Sequence, residues 1–223
     1  MAIRTITRIR TIAEAYAQRD GYDFVLMDTS PSLGALNKVI ISTVDGFIVP
    51  CLPDMFSMYG IRNIGSSLKQ WKQEFDTIYK LISNSKRERF PNEFVQFLGY
   101  TIYNAKKYQK HLNEWDLAQA HYNYAQKIPS VIEKYVVEEV RKHLSSDMVH
   151  NPIGNTAVMH SHNTLPNMSQ KYRKPIWEVP NCDLDSEDKS TIKGNASSLY
   201  YPTREKYRAF AEAFLERIAT LDE

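Results

Sequence analysis

Asp28 ends an apolar run, Tyr22-Asp23-Phe24-Val25-Leu26-Met27-Asp28, and Thr29, Ser30, Pro31 and Ser32 follow it directly. A carboxylate beside hydroxyl side chains and their backbone N–H groups suits a hydrated divalent cation and the phosphate oxygens that such a cation neutralises. The run is continuously apolar rather than alternating, which predicts a strand covered on both faces, as in parallel sheets. An acid at the carboxyl end of such a strand stands where open α/β sheets collect their ligands. The plainer use of the same acid is to cap the following turn or helix.

Other residue groups carry weaker chemistry. His150, His160 and His162, with Asp147 nearby, could hold a metal only if their loop folds so that the rings converge. No Gly-x-Ser-x-Gly elbow is present, and nothing in the sequence sets a histidine against a serine, so a serine hydrolase is not indicated. Cys51 follows an apolar run without a basic neighbour and reads as a core residue rather than a nucleophile. Lys106, Lys107 and Lys110 surround Tyr108, and Lys171, Arg173 and Lys174 surround Tyr172. The plain reading of both is a solvated face, since Glu114 and Asp116 follow the first.

These residues need a scaffold, and the hydrophobic pattern predicts one. Ile6, Ile9, Ile12, Ala13 and Tyr16 recur at helical spacing, and Asp20-Gly21 stops that helix. After the Tyr22 to Asp28 strand come a helix over 33–43, a buried strand over 46–52 and a helix over 57–75 striped by Ile61, Ile64, Leu68 and Trp71. A polar loop over 84–92 leads to a third strand over 94–104. Strands alternating with helices imply crossover connections, hence an α/β fold with a mostly parallel sheet flanked by helices. Residues 106–144 predict two helices divided near Pro129, and 148–167 a polar loop. A short last strand over 175–179, a polar loop through Ser198 and an amphipathic closing helix built on Tyr207, Phe210, Phe214 and Ile218 complete the chain. The 223 residues are read as one domain, with a helical and loop-rich segment over 105–170.

Composition excludes several classes. The chain is 43% hydrophobic, which rules out wholesale disorder, and no apolar run is long enough to span a membrane. Lys and Arg number 28 against 26 Asp and Glu, so bulk charge does not mark a nucleic-acid binder. Two isolated cysteines make neither a disulfide framework nor a four-ligand zinc site, and the basic N-terminus lacks the apolar core of a secretory signal. A cytoplasmic location is the expectation.

The segment from Tyr22 to Arg62 resembles the ParA/MinD family of deviant P-loop ATPases, especially the partition-type members. The strand ending in Asp28 with its Thr-Ser-Pro-Ser-Leu-Gly turn is similar to the family's acid-bearing strand and turn. Asp45-Gly46-Phe47-Ile48-Val49-Pro50-Cys51-Leu52-Pro53-Asp54 is similar to its next strand and proline-containing loop. Leu98 to Asn104 resembles the strand that approaches the adenine, and Tyr201 to Ile218 the C-terminal helix. The resemblance implies a Rossmann-like P-loop NTPase fold, Mg²⁺ and ATP as cofactors, and a role in plasmid or chromosome partitioning. It implies that Asp28 holds Mg²⁺ through water, that Thr29, Ser30 and Pro31 form a phosphate-sensing turn, that Asn104 touches the base, and that Pro53, Asp54 and Met55 border the nucleotide. By the same resemblance, the chain pairs as a homodimer or with a sheet-completing chain, meets a ParB-like partner, and uses Lys171, Arg173, Lys174, Lys106 and Lys107 on nonspecific DNA.

The family pattern is broken at its most important place, and the family's signature lysine and catalytic acid have no counterpart either. A phosphate-binding loop needs glycine-supplied N–H groups followed by Lys and Ser or Thr, and no Gly-Lys-Ser or Gly-Lys-Thr occurs in the sequence. The expected fold is therefore an incomplete P-loop NTPase, with no residue assigned as catalytic and with ATP turnover by this chain alone impaired. The family's loop strand lies inside the sheet, so its loss leaves backbone groups of its neighbours unpaired. The competing expectation is a noncatalytic DNA- or protein-binding module on a degenerate ATPase scaffold.

Overall fold

The computed structural model describes residues 3–30, 32–106, 113–160 and 164–221. The chain starts with a short helix α1 (Ile3–Ile6) and α2 (Arg8–Asp20), which Gly21 ends in the left-handed region at φ 70°. Then follow α3 (Ala35–Thr43), β1 (Gly46–Cys51), α4 (Met55–Leu81), the single turn α5 (Asn84–Arg87) and β2 (Gln96–Ala105). Beyond them lie α6 (Gln119–Ala125), α7 (Ile128–Tyr135), α8 (Ser146–His150), β3 (Ala157–His160), α9 (Leu165–Tyr172), α10 (Ser186–Asn195) and α11 (Pro202–Ala219).

The three strands form a parallel sheet in the order β1-β2-β3. With helices between its strands and packed around them, the molecule is α/β with a P-loop NTPase-like arrangement, in line with the sequence reading. β2 lies in the centre and supplies Phe97, Tyr100, Ile102 and Ala105 to the main core, all fully buried. α4 lays Ile61, Leu68, Trp71 and Phe75 against it, at the helical spacing legible in the sequence. α7 closes on α4 at Gly65, where an added Cβ would stand 2.5 Å from the Tyr135 carbonyl oxygen, so only glycine fits. A second apolar cluster, Leu165, Ile176, Val179, Leu184, Ile192 and Tyr200, holds the helices after β3 together.

α11 joins the two clusters. Between Phe47 and Ile48 the register of β1 on β2 skips Leu98, a bulge that Gly99 accommodates at φ 122°. The bulge frees the Leu98 carbonyl, which accepts a 3.0 Å hydrogen bond from Arg217 Nη1. Arg217 Nη2 donates to the Asn151 carbonyl at 3.3 Å. The guanidinium is 3% exposed, and burial holds its pKa below the usual arginine value. A charge so placed is tolerated only because carbonyl dipoles replace its water.

Several expectations need correction. Tyr22 to Asp28 is not a strand: it runs without regular structure, and Tyr22, Phe24, Val25 and Leu26 are exposed, Leu26 by 81%. A strand exists by virtue of a ladder partner, and among the described residues β1 bonds to β2 alone, with nothing on its other edge. The expected strand over 175–179 is part of a 3₁₀ helix, Ile176–Asn181, where Pro175 and Pro180 deny a ladder its donors. The polar loops over 148–167 and up to Ser198 contain β3, α10 and a π-helical turn, Ala196–Tyr200. The loop over 84–92 contains α5. No described helix is long and apolar enough to cross a membrane.

Candidate functional site

The Asp28 turn is held from below by α3. Asn37, 4% exposed, points its amide nitrogen at the Ser30 and Ser32 carbonyl oxygens, 2.6 Å from each, and at Ser30 Oγ, 3.1 Å away. The two hydroxyls, Ser30 Oγ and Ser32 Oγ, are 3.1 Å apart. α3 is fastened in turn to α4 by the Lys38–Glu74 ion pair. The hydrogen bond from Lys38 holds the Glu74 carboxyl below the usual range. Arg10 Nη1 ties α2 to the entry of β1, donating to the Thr43 carbonyl at 2.7 Å and meeting Asp45 at 2.8 Å.

Asp28 itself is exposed and, among the described residues, forms no hydrogen bond or ion pair. It caps no helix, since the residue before α3 is Gly34. A carboxylate left free in this way fits the outer water shell of a divalent cation. Thr29 is half-buried beside it, and Pro31 lies outside the described residues.

Parallel strands bring all their carboxyl ends to one rim, and three of the residues expected to contact nucleotide follow or end those strands. Pro53, buried, and Met55, exposed, follow β1, and Asn104 stands near the end of β2 with φ 51°. Asp54 is occupied otherwise: its Oδ1 accepts from the Ser57 N–H at 2.9 Å and caps α4. No hydrogen bond or ion pair among the described residues joins Asp28 to Pro53, Asp54, Met55 or Asn104. Two cavities, about 370 Å³ beside Trp115 and about 590 Å³ beside Gly65, are lined by none of these residues.

The basic clusters separate. Lys171 is held by Asp185 at 2.7 Å, Asp188 at 2.6 Å and Glu187 at 3.4 Å, and the hydrogen bonds to Asp185 and Asp188 raise its pKa. Its Nζ thus sits among the three acids that could otherwise hold a cation. Arg173 and Lys174 are exposed at the end of α9, with Arg173 in the left-handed region. Lys106 is exposed and its backbone N–H donates to His121 Nδ1 at 2.8 Å, while Lys107 lies outside the described residues.

The histidines are not brought together among the described residues. His150 faces Glu133 at 3.6 Å from α8, His160 lies in β3, and His162 is outside the described residues. Cys51 is buried, and burial pushes its thiol up to about 12, which suits a core residue. Asn37 and Arg217 are the functional or structural polar residues that sequence reading passes over. The available signal for Asn37 was an uncharged polar side chain, beside Lys38, within the mostly apolar Ala35-Leu36-Asn37-Lys38-Val39-Ile40-Ile41 stretch.

Comparison with known proteins bears on this geometry. A family model described as an AAA domain, AAA_31, matches residues 5–81. A ParA family protein of Mycoplasma pneumoniae is 29% identical over 80 residues, covering 34% of this chain and 30% of the relative. The ParA family protein MG470 of Mycoplasma genitalium is 30% identical over 90 residues, covering 39% of this chain and 33% of the relative. The uncharacterized protein Rv1708 of Mycobacterium tuberculosis is 38% identical over 60 residues, 26% of this chain and 19% of that one. The chain thus spans about a third or less of the length of the curated relatives it matches. No solved structure matches it significantly. The matched segment contains α2, the Asp28 turn, α3, β1 and α4, and over residues 5–81 the chain is similar to the ParA/MinD-like P-loop ATPases.

Proposed function

We propose that this chain carries the metal-side half of a ParA-type Mg-ATP site, and that a segment bearing the phosphate-binding loop, outside these 223 residues, completes it. The observation behind this reading is the presence of two unfinished surfaces: the edge of β1 that bonds to no strand among the described residues, and the exposed apolar run Tyr22 to Leu26. An apolar run of this length in water is costly, at roughly 25 cal/mol for each Å² left exposed. A single additional strand bonded to β1 on one side and to the Tyr22 to Asp28 run on the other would cover both. It would also deliver a glycine-rich loop to the rim that holds Pro53, Met55 and Asn104.

Within the completed site Mg²⁺ would supply neutralisation of phosphate charge. Asp28 would hold the ion's water shell, Thr29 and Ser30 would offer hydroxyls to the phosphates, and Asn104 would stand near the base. The chain by itself lacks the loop, so its ATP turnover is impaired. The setting we propose is cytoplasmic partitioning of plasmid or chromosomal DNA, with dimer formation, a ParB-like partner and nonspecific DNA contact through Arg173, Lys174 and Lys106.

The test is Mg-ATP titration of the purified chain with and without a co-expressed segment carrying a Gly-Lys-Thr loop, with Asp28→Ala as control. Binding and hydrolysis are expected only with the added segment, and both are expected to fall with Asp28→Ala. Tight Mg-dependent ATP binding by the chain alone would overturn this reading.

A further inference from the structure

The one polar side chain buried beneath the Asp28 turn has too few protons for its partners. An amide nitrogen carries two N–H groups, yet Asn37 Nδ2 lies within hydrogen-bond reach of three acceptors. The two carbonyls at 2.6 Å, on Ser30 and Ser32, are the short contacts, and the Ser30 hydroxyl at 3.1 Å is the surplus one. Facing two carbonyl oxygens also fixes the amide orientation, because the reversed group would set oxygen against oxygen.

We propose that Asn37 is the positioning residue of the Asp28 turn: it locks the backbone through the Ser30 and Ser32 carbonyls and needs no bond to the Ser30 hydroxyl, which can exchange its 3.1 Å contact with Ser32 Oγ for a ligand oxygen. The inference rests on the functional reading above for what the hydroxyl meets, but the lock itself does not. Two consequences follow from the geometry. The Ser32–Leu33 peptide is trans, so its N–H points opposite to the carbonyl held by Asn37. And Ser30 Oγ can rotate without orphaning the buried amide, since both of its protons remain bonded to carbonyls. Movement of α3, which Lys38 fastens to Glu74 on α4, would carry the whole turn with it.

The experiment is ¹⁵N relaxation on the full chain and three variants. In the wild-type chain Thr29, Ser30, Ser32 and Leu33 are expected to show order parameters near about 0.85, the value of rigid backbone. Asn37→Leu, which keeps the volume and removes both donors, should drop them below about 0.6 while β2 stays unchanged. Asn37→Asp should do the same near neutral pH, where the new carboxylate has no proton to donate. Its order should return on acidification toward about pH 4 and below, as the carboxyl gains a donor proton. Ser30→Ala should leave the turn ordered. A turn that keeps its order in Asn37→Leu, an order loss spread equally over β2, no acid recovery in Asn37→Asp, or a loosened turn in Ser30→Ala would each overturn the proposal. Mg-ATP titration of Asp28→Ala reports on the functional reading separately. If that titration matches the wild type while the relaxation results hold, the site reading fails and the lock stands.

Discussion

Two apolar runs in this chain have nearly interchangeable compositions and opposite fates. Phe97 to Ile102 in β2 is buried almost throughout, whereas Phe24 to Leu26 stands in solvent. β2 has a parallel neighbour on each side and helices around it, while the earlier run has no strand beside it among the described residues. The comparison teaches that continuous apolarity specifies a buried strand only where the rest of the sheet is present to pair with it. The hydrophobic pattern supplies the demand for burial, and neighbouring backbone supplies the means.

The contrast can be broken or sharpened by substitution. Phe97→Ala should cost about 3–5 kcal/mol in urea unfolding, since it empties a fully buried site in the main core. A loss under about 1 kcal/mol would mean that β2 is not the centre of stability. Arg217→Met should cost roughly 2 kcal/mol, because it strips the Leu98 and Asn151 carbonyls of their donor inside the protein. Amide shifts around the Gly99 bulge should move with it, and an unperturbed bulge would remove Arg217 from the account.

Asp54→Ala should cost about 1 kcal/mol, the usual loss of an N-cap, measured as a lower urea midpoint. No change would release Asp54 from its capping role and return it to the nucleotide rim. A smaller effect belongs to pH. Glu74 is held below its ordinary pKa by Lys38, so the stability it contributes is complete above the unfolded value of about 4.3 and is lost as pH falls through the lowered folded value. The thermal midpoint of the wild-type chain should therefore fall more steeply in acid than that of Glu74→Gln. Parallel curves would show that the α3–α4 pair carries no pH dependence.

The least effect is expected at Leu26. Leu26→Ser should change stability by less than about 0.5 kcal/mol, because the side chain is already in water. The same substitution should weaken assembly with a loop-bearing segment if that segment packs on the exposed run. A large loss in the chain alone would erase the contrast between the two regions.

Much of the α/β order was legible from spacing. The stripe of Ile61, Leu68 and Trp71 marked α4, Gly21 marked the end of α2, and the compact runs at Gly46 and Gln96 marked β1 and β2. Short elements were not legible: β3 has four residues, and its sequence, Ala-Val-Met-His, lies within a polar stretch. The 3₁₀ and π turns beyond α9 depend on packing around Ile176, Val179 and Tyr200 rather than on local preference. At the site, the residue types of the Asp28 turn were visible, but Asn37 was not, because a single buried Asn in a helix leaves no periodic trace.

Local chemistry alone determined α2, α3, α4 and α11, two of the strands, the absence of a Gly-Lys-Ser or Gly-Lys-Thr loop, and the family likeness of residues 5–81, since these depend on side-chain order along the chain. Tertiary structure decided which apolar run is covered, which acid caps a helix and which is free, and which lysine is spent on Asp185 and Asp188. Those outcomes depend on partners far apart in sequence, and no short stretch of residues can say whether its partner will be beside it.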